Sequence, residues 1–173
     1  MKYSDKVMQH FNAPHNCGHL DDYHGIGQIG DPGCGDSVEM TIHISADNQK
    51  VEKIRYRVKG CPAAIATTSI TSVIAEGMQI EDALKITDEQ IVEALDGLPE
   101  SKIHCSLLAV RALQLAIQDA ILKRLFRKAG LVSSDTEFEQ LKKDGRLSEY
   151  LGLQTGEIGH NCDGSCEVSG TKC

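Results

Sequence analysis

The chain has 173 residues, 40% of them hydrophobic and 25% charged, with no Trp and only 4% aromatics. That is enough for one core built from Ile, Leu, Val and Ala plus an appendage. A formal net charge of -7 argues against nucleic acid or an anionic membrane surface as the main partner. The N-terminus, MKYSDKVMQHF, lacks the apolar run of a signal peptide, and no stretch reads as the roughly 18 apolar residues of a membrane span. A cytoplasmic protein is expected.

In chain order, SDKVMQHF predicts a short helix capped by Ser4, followed by an Asn-, Pro- and Gly-containing loop with one short strand around Ile26 to Ile29. From Val38 the pattern alternates strictly, with Val38, Met40, Ile42 and Ile44 apolar and Glu39, Thr41, His43 and Ser45 polar. A second strand, KIRYRVKG, puts Ile54, Tyr56 and Val58 on one face, and ADNQ supplies the turn. The pair is an antiparallel hairpin with one wet face.

The period then becomes helical. PAAIATTSITSVIAEG begins with Pro62, which suits a first helical position, and stops at Gly77. TDEQIVEAL carries a Thr87–Gln90 capping box. SLLAVRALQLAIQDAILKRLFRKAG is the longest helix, predicted to be capped by Ser106 and ended by Gly130. Strands followed by helices indicate an α+β domain, a small antiparallel sheet of about three strands with helices on one face. Residues 131–173 read as a C-terminal helical extension, with Phe138, Leu141, Leu147, Tyr150 and Leu151 able to pack, and a flexible, polar, Cys-containing tail.

The chain has seven cysteines. In a reducing compartment, and with an odd count, they point to metal binding or thiol chemistry rather than to a disulfide framework. Cys34, Cys61 and Cys105 are spread through the folded part. Cys34 lies in GDPGCGDSVE, between Gly33 and Gly35 and two residues before Asp36. Cys61 precedes the Pro62 helix and Cys105 is expected just before the long helix, where unpaired amides and the helix dipole favour a thiolate, the form that ligates metal. Asp36 and His104 stand beside them. Buried cysteines acting as small hydrophobes are the competing reading of each thiol taken singly.

The fragments YSDKVMQHFNAPHN, GCGD, KGCPAAIATTS and KIHCSLLA, in this order, resemble the IscU/NifU N-terminal family of iron-sulfur cluster assembly scaffold proteins, over residues 1 to 128. The resemblance implies that Cys34, Cys61 and Cys105 are the cluster-ligating thiolates. It makes Asp36 a conditional fourth ligand or lability control and His104 an alternative ligand. It also implies a non-enzymatic scaffold that receives sulfur from a cysteine desulfurase and iron from a donor. Such a scaffold builds a [2Fe-2S] cluster and passes it to apo iron-sulfur recipients, with Zn as an occupant of the apo form and a homodimer as one option for assembly. The domain so defined is 1–130, followed by the extension 131–173. The chemistry of the donors agrees: permanent clusters are usually held by four cysteines, whereas a site of three plus a hard carboxylate and an imidazole can hold a cluster without keeping it.

Two departures from the family matter. Many bacterial members have Leu-Pro-Pro-Val-Lys before the His-Cys pair, a segment bound by a dedicated Hsp70-type chaperone. This chain has LPESK, Leu98 to Lys102, so an Hsp70-type chaperone is not an expected partner. Pro62 replaces a common glycine after Cys61. A zinc-dependent sulfur-transfer member of the family is the first alternative, since three Cys and an Asp or His also satisfy tetrahedral Zn²⁺. Those members typically carry an insertion before the last cysteine and lack the adjacent His, whereas here 43 residues separate Cys61 from Cys105 and His104 is present. A redox thiol protein is the second, and lacks its usual Cys-x-x-Cys motif. His160, Cys162, Cys166 and Cys173 read as a second soft site, a cluster-handling arm, or incidental thiols of the tail. Cys17 reads as a packing substitute and KRLFRK as a solvated helix end. His10, His15, His19, His24 and His43 read as surface or capping residues.

Overall fold

The computed structural model describes residues 3–31, 35–47 and 49–147. They form α1 (Asp5–Asn12), β1 (Gly25–Asp31), β2 (Asp36–Ile44), β3 (Val51–Lys59), α2 (Pro62–Ala75), α3 (Ile80–Ala83), α4 (Asp88–Ala94), α5 (His104–Lys128) and α6 (Asp135–Lys143). The sheet is antiparallel in the order β1-β2-β3. The chain divides into two compact units, the first ending at Ser133 and the second beginning at Ser134.

The hairpin register follows from the alternation. Val38 faces Val58, Met40 faces Tyr56 and Ile42 faces Ile54, so the apolar residues of both strands share one surface, where α2 and α5 pack. Val38, Met40, Ile42, Ile54 and Tyr56 are at most 2% exposed, and Leu113 and Ile117 of α5 are fully buried against them. Burial of each side chain of this size contributes about 1.5–3 kcal/mol. The other face is less wet than its polar residues suggest. Thr41 is buried and its hydroxyl accepts from Leu20 N, while His19 and His43 bond Glu39 and Asp22, so the loop after α1 covers part of it.

β1 is longer than the sequence suggests because its glycines serve proximity. A Cβ on Gly25 would stand 2.1 Å from Ala116 O, and one on Gly27 only 2.0 Å from Ala112 O. Ala112, Ala116 and Ala120, one helical turn apart, are fully buried and face these glycines. Small residues on both sides let the helix backbone lie directly on the strand. At the opposite edge of the sheet, Asn16 O accepts from Tyr56 N, Gly18 N donates to Tyr56 O and Glu76 accepts from Ile54 N. These bonds occupy groups that an open edge would leave free for other chains.

Local signals set several boundaries as expected. Ser4 accepts from Val7 N at the start of α1, and Thr87 and Gln90 close their capping box on α4. The long helix begins earlier than expected. A single 3-10 turn, Glu100–Lys102, winds straight into α5, whose N-cap is Ile103, and Ser106 is buried inside the helix with its hydroxyl donating to Ile103 O. α5 is also long and apolar enough to cross a membrane, against the expectation that no stretch is, but 61% of that window is buried inside the fold. KRLFRK is not a simply solvated end. Lys123 is 3% exposed and paired with Asp119 at 2.9 Å, and Arg124 donates to the carbonyls of Ile44 and Ser45. In the second unit, Ser134 caps α6, whose buried residues are Phe138 and Leu141. Tyr150, Leu151, His160, Cys162, Cys166 and Cys173 lie outside the described residues.

Candidate metal centre

The residues of the centre are far apart in sequence, and the hairpin register begins to gather them. Ser37 pairs with Lys59, so Asp36, the first residue of β2, stands beside Gly60 and Cys61 at the end of β3. Gly35, immediately before, has φ 72°, a left-handed conformation that glycine adopts at no steric cost. Cys61 is the N-cap residue of α2, as its position before Pro62 predicts. Cys105 arrives from the opposite direction in the first turn of α5. Thr67 Oγ1 links the two helices, 3.1 Å from Ala64 O and 3.2 Å from Cys105 O.

The resulting constellation centres on Cys105. Its Sγ lies 3.7 Å from Cys61 Sγ, 3.7 Å from Asp36 Oδ2 and 3.6 Å from His104 Nε2. One donor atom from each of Asp36, His104 and Cys105 falls within 4.8 Å of the others. Ala63 and Ala64 pack with Cys105 as a small apolar cluster, and Tyr3, Val58, Cys61 and Leu98 line it. Cys105 is fully buried, Asp36 is 6% exposed and Cys61 is half-buried. The Cys105 thiol is therefore enclosed among small apolar side chains, with the Cys61 thiol, the Asp36 carboxylate and the His104 imidazole around it.

Four of the five residues expected from the sequence thus converge. The fifth, Cys34, lies outside the described residues. Cys17 is exposed rather than a packing residue, its thiol 3.4 Å from Tyr56 Oη. His24 and His43 act locally: His24 Nδ1 accepts from Ile44 N, and burial and the neighbouring His43 lower its pKa.

The expectation that the helix dipole favours a Cys105 thiolate is not met. Burial pushes this thiol well above its ordinary value, and a hydrogen bond to Cys61 and the Cys61 and Asp36 charges push the same way, with Lys102 opposing them. Burial at Cys105 thus works against the thiolate that its place at the helix start favours. Sequence reasoning also missed Tyr3 and Lys102. Tyr3 packs against the thiol pocket, and its pKa is raised by burial first and by Cys61 next. It stands in the same N-terminal fragment as Ser4, but nothing local marks a tyrosine there as a neighbour of residue 61.

Two thiols beside a carboxylate and an imidazole, on a small α+β frame, make a candidate mixed-donor centre of the kind a thiophilic metal takes. The chain belongs to the NifU-like N-terminal domain family, whose model matches residues 2–125. It is 43% identical over 156 residues to the iron-sulfur cluster assembly scaffold protein IscU 1 of Archaeoglobus fulgidus, an alignment that covers 90% of this chain and 94% of that one. It is 36% identical over 151 residues to IscU, the iron-sulfur cluster assembly scaffold protein of Aquifex aeolicus, covering 87% and 96%. Among solved structures, the N-terminal part of a NifU-like protein from Brucella abortus shares the fold with a TM-score of 0.54 at 15% identity, covering 67% of this chain and 92% of that one.

Proposed function

We propose that this protein is a non-catalytic scaffold on which an iron-sulfur cluster, of the [2Fe-2S] type, is built as cargo and then passed to apo-proteins. The observation that carries the reading is the 3.7 Å approach of Cys61 and Cys105 with the Asp36 carboxylate and His104 imidazole within reach of the same sulfur. Cys34, two residues before Asp36 in the sequence, is the third thiolate of this proposal, and residues 1–130 form the scaffold domain. Sulfur would come from a cysteine desulfurase and iron from a donor, in the reducing cytoplasm.

The donor set suits temporary custody. Permanent iron-sulfur centres are usually held by four thiolates. Here the remaining donors are an oxygen and a nitrogen, which an incoming thiolate from a recipient displaces more readily than it would a sulfur. The buried Cys105 thiol adds a proton that must leave on loading and that competes to return on release.

The test is anaerobic reconstitution with iron and desulfurase-derived sulfide, read by visible circular dichroism and by iron and sulfide content. Cys34→Ser, Cys61→Ser and Cys105→Ser should each sharply reduce the cluster, and Cys17→Ser should retain it. A cluster lost in Cys17→Ser but kept in Cys61→Ser would refute the assignment. Tightly bound zinc with no cluster formed under these conditions would favour zinc-dependent sulfur transfer.

A further inference from the structure

Gly60 precedes Cys61, and its lack of a side chain has a specific consequence. A Cβ placed there would lie 2.8 Å from Asp36 Cγ, 2.9 Å from Asp36 Oδ1 and 2.9 Å from Ala64 Cβ. The backbone at Gly60 lies outside the left-handed range, unlike Gly35 with its φ of 72°. Glycine is therefore not needed at position 60 for conformation; what it supplies is space.

The Asp36 carboxylate fills that space. It is 6% exposed, and among the described residues its side-chain hydrogen bond is the 3.7 Å contact with Cys105 Sγ. No ion pair holds it among the described residues, so packing against the bare backbone of Gly60 fixes where it points. We infer that Gly60 is a positioning residue: the room left by its missing side chain seats the Asp36 carboxylate beside the Cys61–Cys105 pair and keeps it within ligand range. This rests on the proposed role of Asp36 as a donor. The mechanical consequence of adding a methyl group follows from which atoms can move. β2 is fixed by its ladder to β3, and Ala64 is fixed within α2. The tip of the aspartate, turning about two torsions, is the part freest to yield, while the Ala64 contact is the same whether or not Asp36 is present; Gly60→Ala is therefore expected to swing the carboxylate away from the thiols.

The experiment measures Zn²⁺ binding to the full-length apo-protein by competition with a chromophoric chelator, for the parent, Gly60→Ala, Asp36→Ala and the double variant. Displacing a group that orients a ligand typically weakens metal binding about 10-fold to 100-fold, and that loss is expected for Gly60→Ala. In the Asp36→Ala background the same change should alter affinity by less than about 2-fold, since residues acting as one unit are not additive. Thermal melting of the apo-proteins is the second reading, with Gly60→Ala lowering the midpoint and Asp36→Ala restoring part of it. Parent-like affinity of Gly60→Ala, with Asp36→Ala weakened, would overturn the inference and leave the role of Asp36 standing. Parent-like affinity of Asp36→Ala would instead sink that role. An equal loss in both backgrounds would mean that the methyl group acts through Ala64 and α2, which also overturns the inference. If Gly60→Ala does not fold, recovery of folding in the double variant supports it and failure of both refutes it.

Discussion

Loading the apo site with Zn²⁺ should release one proton from Cys105 for every ion bound. Burial is the largest influence holding this thiol protonated, reinforced by its hydrogen bond to Cys61 and by the Cys61 and Asp36 charges, and Lys102 only partly offsets them. An ordinary thiol titrates near pH ~8.5, and one raised above that keeps its proton throughout a window of about pH 6 to 8. Metal binds the thiolate. Within the window Cys105 therefore contributes a full proton to the binding equilibrium, and affinity rises with pH by about tenfold per unit on its account, or ~1.4 kcal/mol. Calorimetric titration at neutral pH in buffers of different ionisation enthalpy counts the protons directly. The parent should release about one more per ion than Cys105→Ala, as linkage of metal binding to ligand deprotonation requires. Equal counts, or the same pH slope of log affinity in both proteins, would show that Cys105 is already a thiolate or does not bind.

Three other outcomes follow from the same geometry. Gly27→Ala should destabilise the fold by about 3 kcal/mol or more, the upper end of overpacking, because the new Cβ would be 2.0 Å from a backbone carbonyl of α5; urea denaturation measures it, and a change under about 1 kcal/mol would mean that β1 and α5 separate easily. Asp36→Ala should still assemble a cluster but transfer it to an apo-ferredoxin more slowly and hold it longer in air, since a carboxylate that helps detach iron during exchange is gone, a kinetic effect separate from Zn²⁺ affinity; transfer as fast as the parent's, or earlier bleaching, would leave Asp36 without a role in release. A chain ending at Gly156 should retain the core cluster, because the proposed ligands all precede Gly130; loss of cluster with unchanged far-ultraviolet circular dichroism would assign a ligand or a shield to the tail.

Much of the fold is legible because its signals are local. Alternation from Val38 onwards, Pro62 after Cys61, and the Thr87 capping box each act within a few residues, and the structure follows them. The extent of β1 was harder to read, since Gly25 and Gly27 look like strand breakers until the carbonyls of Ala112 and Ala116 lie against them. The start of α5 is less legible, because a serine preceding an apolar run reads as a cap. In the folded chain the 3-10 turn feeds the helix from upstream, and Ser106 spends its hydroxyl on Ile103 O.

The sequence by itself determined which donors this protein can offer to the proposed site, since residue types and their order are chemical facts that folding does not alter. It also determined the periodicities that make a hairpin and a long helix. Only the tertiary structure decided how those donors behave. Cys105 looked like a thiol activated by a helix terminus, yet the packing of Ala63, Ala64 and Tyr3 around it removes water and holds the proton on sulfur. Asp36 stands in the sequence as a carboxylate two residues after Cys34, but it is the pairing of Ser37 with Lys59 that carries it to Gly60, where a missing methyl group leaves room for its carboxylate. Desolvation and steric exclusion are sums over neighbours distant in the chain, and those neighbours meet only when strands pair and helices pack.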